Sequence, residues 1–91
     1  MFRCSRVLDR IVVYATVKNA EFSLSELISV LKSYDFEVDF ADLERSLDRL
    51  KVSYTLDVND AGTYFFRLPL FREYILKSAY DVKLVEEMKG Y

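Results

Sequence analysis

The sequence predicts an α+β, mainly helical fold, and three observations carry that prediction. Apolar residues recur at spacings of three and four over three successive stretches, the period drops to two across a glycine-containing turn, and a proline then restarts the helical period. With 91 residues the chain has room for one core rather than two, so a single domain over 1–91 is expected. Its 52% apolar, 15% aromatic and 31% charged residues are those of a globular chain.

The first helix is expected over about 5–18, where Val7, Leu8, Ile11, Val12 and Ala15 make one apolar face. Val13 and Val17 widen that face, which places this helix centrally. Asn19-Ala20-Glu21-Phe22 breaks the pattern. Ser23 with Glu26 then forms a capping box ahead of Leu24, Leu27, Ile28 and Leu31, so a second helix runs to about Tyr34. A short strand at 21–23 could join a later sheet. Asp35-Phe36-Glu37-Val38 alternates and cannot continue a helical face. Asp39 caps a third helix, with Phe40, Leu43, Leu47 and Leu50 as its buried stripe and Glu44, Arg45, Asp48, Arg49 and Lys51 opposite.

Beyond Lys51, Tyr54, Leu56 and Val58 alternate with Ser53, Thr55 and Asp57. Asn59-Asp60-Ala61-Gly62 turns the chain, and Tyr64, Phe66 and Leu68 alternate with Phe65 and Arg67. A hairpin over about 52–68 follows, with Tyr54, Tyr64 and Phe66 on its core face and Phe65 on the other. Pro69 opens a fourth helix whose face is Leu70, Phe71, Tyr74, Ile75 and Ser78. Residues 80–88 either continue it or form a separate C-terminal extension over 79–91. Helix, helix, helix, hairpin, helix is the order of a winged helix, with the hairpin as wing. A four-helix bundle is the competitor, and the period-two run argues against it.

Composition removes several function classes. Histidine is absent, the side chain most used as a general base near neutral pH. The glycines are Gly62 and Gly90 alone, too few and too far apart for a phosphate-cradling loop. Cys4 is the single cysteine, which excludes an internal disulfide and a thiolate zinc site. Carboxylate pairs such as Glu86 with Glu87, or Asp39 with Asp42, are accounted for by capping and solubility. No enzyme activity, cofactor or metal is expected. The longest apolar stretch, 11–15, is too short to span a bilayer, and a cytoplasmic, unanchored protein is expected.

The segment Thr63-Tyr64-Phe65-Phe66-Arg67-Leu68-Pro69-Leu70-Phe71-Arg72-Glu73-Tyr74-Ile75 resembles the end of the winged-helix domain that follows the nucleotide-binding core in archaeal and bacterial P-loop ATPases of the AAA+ and STAND type. There, a tyrosine-led wing strand ends in an Arg-x-Pro-Leu-Phe-Arg stretch that opens a helix. The leucine run Leu43, Leu47, Leu50 followed by a strand is similar too, and the likeness covers roughly residues 5–76. It implies a regulatory or interaction module that packs on an ATPase core or another protein. ATP hydrolysis does not carry over, because the core motifs are absent from this sequence.

The alternative for a winged helix is DNA binding, with the third helix in the major groove and the wing against the backbone. Under that reading Arg45, Arg49 and Lys51 are the candidate contacts. Charge argues the other way: residues 1–20 carry a net +3, residues 21–66 a net −6 and residues 67–91 a net +1, so the half that would meet phosphate is the anionic one. Arg45 and Arg49 are flanked by Glu44 and Asp48, as on a solvated face laced by weak ion pairs. Arg3, Arg6 and Arg10 make a basic stripe on the first helix, an element this fold does not insert into a groove. With seven Tyr and seven Phe, some rings should remain outside, and Tyr14, Phe65 and Tyr80 are the candidate anchors for a protein partner or a second copy of the chain.

Overall fold

The computed structural model of the chain describes residues 7–91, so Arg3, Cys4 and Arg6 lie outside the described residues. In order the elements are α1 (Val7–Thr16), β1 (Glu21–Phe22), α2 (Leu24–Ser33), α3 (Phe40–Val52), β2 (Leu56–Val58), β3 (Tyr64–Phe66), α4 (Pro69–Leu76) and α5 (Tyr80–Lys89). The fold is α+β and mainly helical, with an arrangement compatible with a winged helix. Its radius of gyration is 12.0 Å, close to the roughly 12 Å of one domain of this length.

α1 is the axle. Ile11, Val12, Val13 and Val17 have no exposed surface, and α2, α3 and α5 all pack on this helix. A helix apolar on so many sides is stable only when covered on those sides. α5 supplies the last cover, through Leu84 and through a pair between Arg10 and Glu87. It is a helix separate from α4, divided from it by Lys77, Ser78 and Ala79.

The local signals act as their chemistry dictates. The Ser23 hydroxyl accepts from the Glu26 amide at 3.2 Å and the Glu26 carboxylate accepts from the Ser23 amide at 2.9 Å, closing the capping box of α2. Asp39 accepts from the Ala41 amide at 3.2 Å and starts α3. Pro69 opens α4 at a position where no amide proton is needed. Asn59 Oδ1 accepts from the Ala61 and Thr63 amides, both at 3.0 Å, and Gly62 takes φ +81°, which completes the hairpin turn.

Both α2 and α3 end in the same way, and without glycine. Asp35 (φ 55°) and Tyr54 (φ 62°) stand in the left-handed region, and the amides of Phe36 and Thr55 donate back to Leu31 and Leu50 at 3.1 and 3.0 Å. These are Schellman closures, which normally place glycine at the left-handed position. Tyr54 thereby leaves the alternation of the hairpin, and its ring is 65% exposed instead of joining the core.

The sheet order is β1-β3-β2, all antiparallel. Phe22 faces Tyr64, and Leu56 faces Phe66, so these residues turn their rings and branches to the helices. The Phe22 and Tyr64 rings stack at 5.6 Å. Besides Tyr54, three expected core residues lie outside. Phe40 is 50% exposed because it is the first residue of α3 and overhangs the end of the core. Leu70 and Tyr74 are exposed because α4 rests on β3 through Phe71 and Ile75, and it is α5 rather than α4 that covers α1.

Candidate functional site

The residues singled out for nucleic-acid contact do not act together. Arg49 turns inward from α3 to α1, where its Nε lies 3.0 Å from Asp9 Oδ2 and its Nη2 lies 2.7 Å from Asp9 Oδ1. Ser46, one turn earlier and fully buried, donates its hydroxyl to the same Oδ1 at 2.6 Å. Asp9 is only 4% exposed, so this carboxylate is held by a planar fork and a hydroxyl, as a buried charge must be. The hydrogen bond to Asp9 pushes the Arg49 pKa up, outweighing the opposing effect of burial, and the nearby negative charges of Asp9 and Asp42 add to it. Arg49 thereby ties α3 to α1, with its Nε and Nη2 both engaged on Asp9.

Arg45 stays outside with its side chain 68% exposed, and its guanidinium donates to Asp42 at 2.8 Å. Lys51 is exposed near the end of α3. Where α3 meets the sheet, Leu24, Ala41, Glu44, Arg45, Asp48 and Tyr64 surround a small cleft of about 310 Å³. Two of its three charges are carboxylates. Partial burial raises the Tyr64 pKa, and the negative charges of Asp48 and then Glu44 raise it further, a direct sign of the local potential. A phosphate backbone approaching α3 from this side would meet anions.

The expected ring anchors divide similarly. Tyr14 is 7% exposed and is part of the core, because α1 is covered on every side that could have left it outside. Tyr80, the first residue of α5, is half-buried against that core. Phe65 is half-buried on the outer face of the sheet, where it pairs across with Glu21 and Asp57. Asp57 in turn takes a hydrogen bond from Arg67 at 2.6 Å, and the Arg67 guanidinium lies 5.1 Å from the Tyr54 ring centroid.

Among the described residues the most exposed large apolar side chains are others: Val52 (79%), Tyr54 (65%), Leu68 (60%), Leu70 (79%) and Tyr74 (63%). They come from the end of α3, the strand-to-helix corner and α4. Within the Arg-x-Pro-Leu-Phe-Arg stretch, Arg67 pairs with Asp57, Pro69 starts the helix and Phe71 packs 6.3 Å from Phe66. Arg72 donates to the Val17 and Lys18 carbonyls at 2.8 and 3.1 Å, which closes the chain leaving α1. Leu68 and Leu70 serve no such internal purpose. Sequence periodicity missed them because Leu68 continues the period-two run of the hairpin and Leu70 the helical face after Pro69, and both patterns read as buried. The available signal was the surplus of rings and leucines around a helix as short as 69–76.

A second surface lies at the turn between α2 and α3. Leu31 and Leu43 floor an open groove of about 1000 Å³, and the loop residues 35–39 run along it. Among the described residues no group of three potential metal ligands converges, and no helix is long and apolar enough to cross a membrane. No family model, no curated protein and no solved structure matches this chain.

Proposed function

We infer that this chain is a winged-helix protein-interaction and regulatory module, without catalysis of its own, of the kind that accompanies the core of P-loop ATPases, and that it works in the cytoplasm. One observation carries the reading: the helix that a DNA-binding winged helix would insert has Arg49, in its last turn, committed to Asp9, and what it leaves outward is bordered by Asp42, Glu44 and Asp48. The exposed Leu68, Leu70 and Tyr74 supply the apolar centre that protein interfaces use, with Arg67 and Glu73 at its edge.

The competing reading is a DNA-binding regulator that uses Arg45 and Lys51, both exposed. A titration of the chain with duplex DNA at low salt separates the two. Under the interaction reading no saturable binding occurs at micromolar protein. Micromolar binding that weakens steeply as salt rises, and that Arg45→Glu abolishes, would overturn it.

A further inference from the structure

We propose that the groove at the turn between α2 and α3 is a docking site for an extended, cationic and apolar segment of a partner protein, bound by matching alternation. The proposal rests on the interaction reading and specifies its partner. The loop from Asp35 to Phe40 alternates carboxylate and apolar residue throughout: Asp35, Glu37 and Asp39 against Phe36, Val38 and Phe40. In the structure both sets border one groove, together with the floor residues Leu31 and Leu43.

Three features make this groove incomplete as it stands. Phe40 is half exposed at its edge although it is a large ring. Asp35 and Glu37 have no cationic partner among the described residues, while Lys32 is the single base beside the groove. The peptide groups of Glu37 and Val38 make no hydrogen bond among the described residues, in a stretch without helix or strand. An extended segment answers all three needs at once. Its backbone can pair with the free peptide groups, its apolar side chains on one face meet Phe40 and Val38, and its arginines or lysines on the other reach Asp35 and Glu37. An open groove can admit a chain segment, and its carboxylates reject the phosphates of nucleic acid.

The test uses the full chain and two short fluorescent peptides of one length, the first alternating arginine with leucine and the second alternating glutamate with leucine. Anisotropy titration should show saturable binding of the first and at least about tenfold weaker binding of the second. Asp35→Asn with Glu37→Gln should weaken the arginine peptide by about tenfold, and Phe40→Ala by about tenfold. The comparison variant Asp60→Asn with Glu86→Gln removes the same net charge from exposed positions elsewhere and should change binding less than about twofold. Amide shift changes should centre on residues 28–43. Equal weakening by the comparison variant would show general charge attraction and overturn the site, as would shifts centred on residues 68–77. That last result would leave the interaction reading standing, whereas salt-sensitive duplex binding would remove the reading itself.

Discussion

Arg49→Met is the substitution whose outcome the structure fixes most tightly. It keeps the aliphatic stem and removes the guanidinium, leaving Asp9, among the described residues, with one hydroxyl donor, Ser46, and nothing on Oδ2. Stranding one partner of a fully buried ion pair costs about 3–5 kcal/mol. Here the arginine side chain is 35% exposed, so water enters the vacated space and screens the carboxylate, which brings the expected loss to about 2–3 kcal/mol. That is a large share of a domain stability of about 5–15 kcal/mol. Urea unfolding followed by circular dichroism measures it. With a slope of about 1 kcal/mol/M the midpoint should fall by about 2–3 M at unchanged slope. Adding Asp9→Asn to Arg49→Met removes the stranded charge while keeping an acceptor for Ser46, and should restore about 1–2 kcal/mol. A surface arginine would behave otherwise, with changes within about 0.5 kcal/mol. A loss that small, or a double variant less stable than Arg49→Met alone, would refute the account of Arg49 as a structural cation.

Three further outcomes are expected. Tyr64, its pKa raised by burial and by Asp48 and Glu44, should titrate above the ordinary tyrosine value of about 10, as a tyrosinate absorbance step that Tyr64→Phe removes. Because the folded value is the higher one, its contribution to stability is complete below the ordinary value and is lost as pH rises through the folded one. Gly62→Ala should cost about 1–2 kcal/mol in thermal or urea unfolding, purely from φ +81°, since a Cβ there meets nothing within 4 Å. Asp35→Gly should do the reverse and stabilise by about 0.5 kcal/mol, because glycine occupies the left-handed position without strain. Leu84→Ala should lose about 2–4 kcal/mol as α5 loosens from α1, whereas Leu70→Asp should leave stability within about 0.5 kcal/mol and lower only association.

The candidate surfaces were legible in part. The acidity of the α2 to wing region is a property of residue order. That Arg45 would pair within its own helix follows from Asp42 three positions earlier, and the contact is made. The inward turn of Arg49 was hidden, because Asp9 lies 40 residues away on a helix whose apolar pattern offers no reason to expect a carboxylate inside it. Ser46 within the leucine stripe of α3 was the one hint, since a small hydroxyl among Leu43, Leu47 and Leu50 implies a polar neighbour across the contact. The groove was present only as an alternation in 35–40 that matched no strand.

What residue order determined by itself was everything whose physics closes within a few positions. The apolar periods of α1 to α3, the Ser23 and Asp39 caps, the proline start of α4 and the turn at Gly62 each follow from contacts between near neighbours. Tertiary structure decided which apolar faces are covered. Tyr14 went inside and Leu70 and Tyr74 stayed out because α5, rather than α4, came to lie on α1. Periodicity specifies that a helix has an apolar side, but the surface that meets it comes from another part of the chain, and only their packing settles which side chains lose contact with water.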